Sequence, residues 1–596
     1  MNTPIPMEFI HACHVPSLDD GSDAVVIKVH AHTADGKIVP ALKVEDKLTR
    51  SFYVTKPQYR NHQFKKEWEE LNRLDSYQVP NHRLNQEIET AIYGYSGGGY
   101  RNRRKSLSEV CTSPYVYGAD LHIEVLLKNQ YQAAFEASGH KPSATTTGFF
   151  DIETNMFSAV KEPNVITITH ENQVYTAILE QFFVVKQSDG TYRRGNLDEF
   201  TAFATKTLDH HIDELVEQHM QSNPKSKLRA KVAANPFTYN FYVGKTVVDI
   251  IAWIFARMHE NKTDFVGIWN LDFDIPAILD TLKRHNVAPE DIFCPPALPK
   301  KYRYVRYERD QKQSPDIFKK WHWLHATGYS QFIDSMCLYR ILRTVKGLET
   351  SMSLDNILKS NDLGGKLTFK DDDPRTENLA GGEWHRYMQR EEAYKYIVYN
   401  QFDCISLQLL EWKNNDLASM FILGGVSRLC KWIRQTRKVS DSIYFYALNS
   451  NLVTSSPGPE EVMVTEYDRM MEKVGGAVLR PERTNSIGLR IFEDRPELVT
   501  FLHNFVNDVD FTGMYPTAEM VCNICKETKV SAGIQIEGNT KIGTQNFYSL
   551  AVSMQENAVL MGSQYFGLPT YSEMDKLFGD HLAQKHTTPP NSFGTI

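Results

Sequence analysis

Three short stretches of this 596-residue chain carry carboxylates at spacings that can gather oxygen ligands around a cation. The first is Asp151-Ile152-Glu153, which follows the apolar run Gly148-Phe149-Phe150. On a strand, residues i and i+2 face the same way, so Asp151 and Glu153 can offer two ligands at one point. The second is Phe273-Asp274-Ile275-Pro276, which sets Asp274 between an apolar strand at 265–270 and a helix introduced by Pro276. The third is Tyr399-Asn400-Gln401-Phe402-Asp403. Helical spacing i, i+4 stacks Tyr399 over Asp403, so both point into the same cleft. Asp, Glu, Asp and Asp thus converge on one centre. Two divalent ions about 3.5–4 Å apart at such a centre can make hydroxide from water and stabilise the leaving oxygen of an in-line phosphodiester cleavage. An oxygen-only site suits magnesium, with manganese as a substitute. Each stretch also has an ordinary reading: a strand end, a helix N-cap at Asp274, and a half-exposed helix that turns Phe402, Ile405 and Leu409 to a core. The ordered set of three favours the metal reading.

The elements that must hold these residues alternate between strand and helix. Segments 148–154 and 164–169 read as neighbouring strands, and Asp209–Gln221 and Thr246–Glu260 as helices. Such alternation predicts a layered α/β domain. Residues 1–145 alternate short β-rich runs with polar loops, and Gly97-Gly98-Gly99 reads as a loop tip. The polar stretch Asp362–Gly382, with Asp371-Asp372-Asp373-Pro374, reads as a surface excursion.

The length suggests about four domains, large enough to fold without staples. Eight scattered cysteines favour reduced thiols in a cytoplasmic compartment. The lone C-x-x-C at Cys522 and Cys525 has no second pair and reads as buried small residues rather than zinc ligands. No export signal is visible, and the most apolar helical stretch, Val247–Met258, is too short to cross a bilayer and contains Asp249 and Arg257. The expectation is a soluble protein with no membrane partner. The net charge of −7 is uninformative, because a polyphosphate partner needs only local positive potential. Two basic runs interleaved with aromatics could track phosphates and stack unpaired bases. They are Arg101, Arg103, Arg104 and Lys105 beside Tyr100, and Lys301, Arg303 and Arg306 among Tyr302, Tyr304 and Tyr307. A solvated loop and a surface strand are the plain alternatives.

From Thr112-Ser113-Pro114-Tyr115-Val116-Tyr117-Gly118 onward the chain resembles the amino-terminal two-thirds of a family B replicative DNA polymerase of the tailed-phage type. The resemblance implies an α/β and α+β multidomain protein, with an RNase H-like 3′→5′ exonuclease domain of the DEDDy class between an amino-terminal domain and a partial polymerase palm. It implies metal ligands at Asp151, Glu153, Asp274 and Asp403, and at Tyr399 the tyrosine that orients the attacking water. Asn270, Leu271 and Asp272 precede Phe273-Asp274 with the shorter of the family's spacings. The implied boundaries are 1–145 for the amino-terminal domain, 146–415 for the exonuclease, 416–465 for a linker returning to the amino-terminal domain, 466–566 for the partial palm and 567–596 for the start of the fingers.

Asp510-Phe511-Thr512-Gly513-Met514-Tyr515-Pro516-Thr517 resembles the family's first palm motif. Asp510 stands at its metal-binding aspartate, Phe511 at the residue whose carbonyl assists, and Tyr515, next to Gly513 and Met514, at the tyrosine that excludes a 2′-hydroxyl. Val474-Gly475-Gly476-Ala477-Val478 resembles the element that joins exonuclease to palm, without its tyrosine. No second palm carboxylate motif is recognisable after Thr517. The expectation is therefore the amino-terminal subunit of a split DNA polymerase that proofreads with two Mg2+ ions per site and acts on primer-template and single-stranded DNA. A second polypeptide would bring the remaining fingers, palm and thumb. A sliding clamp is a further expected partner, and the compartment is the cytoplasm, that of the host cell for a phage-encoded chain. Two alternatives stand beside it: a stand-alone exonuclease with a vestigial palm, and a non-catalytic DNA-binding scaffold.

Overall fold

A computed structural model describes residues 5–62, 65–94, 106–310, 320–343, 349, 351–370, 374–377, 379, 381–418, 435–456, 541–542 and 545–546. The chain divides into two compact units, 1–463 and 464–596. In the second, the described residues are the two short strands Lys541–Ile542 and Gln545–Asn546, which pair antiparallel. Asp510, Phe511, Gly513, Met514, Tyr515, the 474–478 turn, Cys522, Cys525 and the tail from Gly567 lie outside the described residues, as do Gly97–Lys105 and Asp371–Asp373.

The first unit is a mixed α/β protein. It opens with an antiparallel sheet of β1 (Met7–Val15), β2 (Ala24–His32) and β3 (Ile38–Glu45). A second small sheet sets β4 (Thr49–Thr55) between β5 (Leu74–Pro80) and β6 (Val116–Tyr117). Helix α1 (Ile123–Ala137) packs against β1. The strand Leu452–Thr454 pairs with Trp68–Glu70, and Gly118 N–H donates to the Thr454 carbonyl at 3.0 Å. Residues 452–456 therefore lie against the amino-terminal region.

The centre of the unit is a six-stranded sheet of β7 (Thr147–Thr154), β8 (Pro163–His170), β9 (Gln173–Leu179), β10 (Thr238–Gly244), β11 (Phe265–Ile268) and β12 (Gln331–Asp334). Their order is β10-β9-β8-β7-β11-β12. β7, β8 and β9 form an antiparallel meander, while β11 runs parallel to both β7 and β12. The two strands expected at 148–154 and 164–169 are indeed neighbours, with Asp151 opposite Thr167.

Alternation along β7 decides what meets what. Phe149 joins the core formed with α2 (Leu197–Ser222) and α7 (Ala393–Asn414). Phe150 and Ile152 join the opposite core, formed with α3 (Val247–Asn261) and α4 (Leu271–Arg284). Asp151 and Glu153 share the Phe149 face, which is the face that α7 covers. Two shorter elements border the site, α5 (Leu354–Ser360) and α6 (Gly381–Glu391). Three helix starts differ from the sequence reading. α2 begins at Leu197, capped by Asn196, twelve residues ahead of Asp209. α3 uses Thr246 as the N-cap of a capping box. α4 begins at Leu271, so Asp274 sits in its first turn and Pro276 inside it. Pro276 lies beyond the first turn, where a proline removes one i→i−4 hydrogen bond from the helix.

No helix among the described residues is long and apolar enough to cross a membrane. Cys13, Cys111, Cys294, Cys337 and Cys404 are buried.

Candidate metal centre

An open cleft of about 940 Å³ lies at the carboxyl end of β7. Its lining includes Asp151, Glu153, Asp274, Asp403, Lys366 and Tyr399, together with Trp269, Phe273, Met336, Met352 and Leu354. One carboxylate oxygen each from Asp151, Glu153 and Asp403 lies within 4.8 Å of the others. Strand period two supplies the first pair, and α7, crossing that face, supplies the third. Tyr399, one turn earlier, shares a lysine partner, Lys366, with Asp403.

Asp274, the fourth carboxylate of the expected set, is the strongest repelling charge on Asp151. It lines the same cleft and is buried, yet it stands outside the triad because its Oδ1 accepts from the Ile152 N–H at 3.2 Å. Helix α4 approaches β7 from the other core, so its first-turn carboxylate reaches the strand backbone before it reaches the triad.

Three residues that the sequence reading left out complete the centre. Asn400 Nδ2 donates to Asp151 Oδ2 at 2.7 Å. The Tyr396 hydroxyl donates to Glu153 Oε2. Lys366 Nζ donates to Asp403 Oδ2 at 2.6 Å and to the Tyr399 hydroxyl at 2.7 Å. Tyr396, Tyr399, Asn400 and Asp403 fall at i, i+3, i+4 and i+7, one helical stripe, so the first and third of them were readable from periodicity. Lys366 was not. It belongs to the polar stretch expected to be a surface excursion, but Leu363 and Leu367 are buried and carry that stretch inward. The turn depends on two glycines. Gly364 has φ +67°, and a Cβ there would stand 2.2 Å from Leu215 Cδ2; a Cβ on Gly365 would stand 2.7 Å from Asp355 Oδ1, which accepts the Lys366 N–H at 3.0 Å. Gly364→Ala is therefore expected to lower stability by about 2–4 kcal/mol, the sum of left-handed strain and overpacking, as read by urea denaturation.

The electrostatics are those of a site short of positive charge. Burial, then repulsion from Asp274, Asp403 and Glu153, pushes the Asp151 carboxyl well above the usual range. Burial likewise raises Glu153 to about 7, against the Tyr396 hydrogen bond, and raises Asp274 and Asp403. Burial works against the Lys366 charge, but Asp403 and Asp151 outweigh it and hold that lysine protonated. The Lys366 ammonium thus faces the carboxylates of Asp403, Asp151 and Glu153. Asp403 Oδ1 is buried and has no hydrogen-bond partner, the mark of an oxygen with a lone pair to give. An all-oxygen donor set of this kind fits a hard divalent cation.

A pH-dependent consequence follows. Folded-state pKa values raised above the unfolded ones mean that the folded protein binds more protons, so this cluster's contribution to stability is present at acid pH and lost as pH rises through the raised values. A bound cation replaces the missing protons. Millimolar Mn2+ should raise the thermal midpoint at pH 8 and raise it less at pH 5.5; at a hundred times the dissociation constant the gain is about 2.7 kcal/mol.

The Lys301, Arg303 and Arg306 run is placed away from these contacts. Tyr302 is buried and donates to Asp46 Oδ2 at 2.6 Å, and Arg303 pairs with Asp291 at 2.9 Å. Lys301 and Arg306 are exposed. Arg101, Arg103, Arg104 and Lys105 fall outside the described residues. Comparison of the chain with protein-family models and with curated proteins finds no match.

Proposed function

We propose that this chain is a divalent-metal-dependent 3′→5′ DNA exonuclease, with Asp151, Glu153 and Asp403 as principal ligands, Asp274 completing the set, and Mg2+ or Mn2+ as the ion. The observation that carries the reading is the gathering of three carboxylates from two distant segments within 4.8 Å, in an open cleft, beside Tyr399 and Lys366. A central strand with an antiparallel meander on one side and parallel strands on the other supports the RNase H-like assignment. Ions held there supply Lewis acidity for activating water and for the leaving oxygen of a phosphodiester.

The chain's own groups do the rest. Tyr399, held by Lys366, offers a hydroxyl to orient the attacking water. The Lys366 ammonium lines the same cleft and can stabilise negative charge that grows on phosphoryl oxygens there. Trp269 and Phe273, which line the same cleft, give an unpaired terminal base aromatic surface. A duplex end must fray to reach the carboxylates, which favours mismatched termini. The 3′ polarity comes from the family resemblance. On the same resemblance, Asp510 and Tyr515 extend the reading to half of a nucleotide-addition site that a second polypeptide completes.

The test is degradation of 5′-labelled single-stranded DNA by the purified chain. Stepwise shortening from the 3′ end with Mg2+ or Mn2+, stopped by chelator, is the expected result. Absence of degradation with either ion, or shortening from the 5′ end, would contradict it.

A further inference from the structure

Helix α6 contributes nothing to the carboxylate pattern, yet several of its contacts end at the metal centre. Tyr396, on α7 two turns before Asp403, is 2 % exposed and gives its hydroxyl proton to Glu153 Oε2. A phenol has one proton and two acceptor lone pairs. Both lone pairs are met from α6, with His385 Nδ1 at 2.9 Å and Gln389 Nε2 at 3.1 Å from the same oxygen. With the hydroxyl proton given to Glu153, His385 donates to the phenol oxygen through Nδ1–H, which fixes its tautomer. His385 Nδ1 is also 3.6 Å from Glu153 Oε2. Gln389 then holds the backbone just beyond Glu153. Its Nε2 donates to the Thr154 carbonyl at 2.8 Å and its Oε1 accepts the Met156 N–H at 3.0 Å. The Tyr396 ring is itself braced, stacked on Tyr399 at 6.0 Å and 16° and tilted against Trp384 at 6.0 Å.

We infer that Tyr396, held by His385 and Gln389, is a positioning residue that sets the Glu153 carboxylate for ion binding, so that helix α6 is part of the metal centre. The inference rests on the proposed function. A glutamate side chain has several rotamers to surrender when it binds an ion, and a fixed outer partner removes that cost beforehand. Partners of this kind are worth about 10–100-fold in metal affinity or activity. A purely structural role for Tyr396 would lower stability and leave the ion dependence alone.

Tyr396→Phe in the full chain keeps the ring contacts and removes only the hydroxyl. Mn2+ affinity of the protein without DNA, read by calorimetry, should fall about tenfold. The Mg2+ midpoint for degradation of 5′-labelled single-stranded DNA should rise by a similar factor, the rate at saturating Mn2+ should approach that of the wild type, and KM for the oligonucleotide should not move. An unchanged Mn2+ affinity and Mg2+ midpoint would overturn the inference while leaving the exonuclease reading intact. Wild-type protein that neither binds Mn2+ nor degrades DNA would instead remove the reading on which it rests. Should Tyr396→Phe fail to fold, His385→Ala decides, since His385 is half-buried at the rim. A shift of several-fold in the same direction supports the inference, and none overturns it.

Discussion

Asp151→Asn removes 3′→5′ degradation, with a loss on the order of 10³-fold, or about 4 kcal/mol of transition-state stabilisation, while the protein stays folded. The two halves of this expectation have separate causes. The activity falls because a neutral amide cannot replace a carboxylate that neutralises a divalent ion. The fold survives because Asp151 is a liability without an ion: burial and three neighbouring carboxylates disfavour its charge, while the Asn400 Nδ2 contact can be kept by the new amide oxygen. Relief of that repulsion should raise metal-free stability by about 0.5–2 kcal/mol, the usual size of a gain at a functional position. The stabilisation by Mn2+ at pH 8 should largely disappear in the same variant. Calorimetric melts with and without Mn2+, beside the degradation assay, check all three. Lost activity together with lost stability would mean that Asp151 is structural.

Lys28→Met should be the most destabilising single change at a site remote from the cleft, by about 3–5 kcal/mol. Lys28 on β2 and Asp264 just before β11 are both fully buried, and their charged atoms lie 2.5 Å apart. Asp264 also receives His30 Nε2 at 3.0 Å, the Thr146 N–H at 2.7 Å and the Thr146 hydroxyl at 2.9 Å. This cluster fastens the amino-terminal sheet to the sheet that carries the metal centre. Methionine fills the stem's volume but leaves a carboxylate buried with one fewer cation, so the cost is that of an uncompensated charge. The pH dependence separates this cause from loss of packing. Burial opposes ionisation of Asp264, but Lys28 and His30 outweigh it and hold its carboxyl well below the usual carboxylate range. A depressed folded pKa gives stability that is present above the unfolded value, about 4, and lost as pH falls. Burial pulls Lys28 itself down to about 8, against the attraction of Asp264. The carboxylate side governs at acid pH, because Asp264 accepts several bonds besides the one from Lys28. In Lys28→Met the folded pKa of Asp264 rises, so the deficit relative to wild type is largest above pH 4 and shrinks below it. Urea titrations across pH 3–7 read the difference, and a deficit independent of pH would point to packing alone. Adding Asp264→Asn to Lys28→Met should recover part of the loss.

Strand period and helix period sufficed to find the acidic centre. Asp151 and Glu153 share a face because they are two apart, and α7 presents Tyr399 and Asp403 because they are four apart. The same periodicity also carried Tyr396 and Asn400, whereas the four-residue recurrence of Ile123, Leu127, Tyr131 and Phe135, which builds α1, went unread in a region taken as β-rich runs and polar loops. Lys366 was illegible because its place is tertiary. Nothing local distinguishes a lysine in a polar loop from one that such a loop carries into a cleft, apart from the Gly364-Gly365 pair that lets the turn close. The same holds for Lys28, whose partner lies 236 positions away. The Asp274 carboxylate was found, but its engagement with Ile152 N–H depends on which side of β7 the α4 helix packs. The spacing of Asp274 from the other carboxylates does not encode that side.

Anomalous scattering from crystals of the chain grown with Mn2+ tests the central claim most directly. The expected result is a peak about 2.1 Å from carboxylate oxygens of Asp151, Glu153 and Asp403, with Lys366 Nζ withdrawn from Asp403. Well-ordered density for these three side chains, Lys366 still bound to Asp403 and no peak between them at saturating Mn2+, would contradict it.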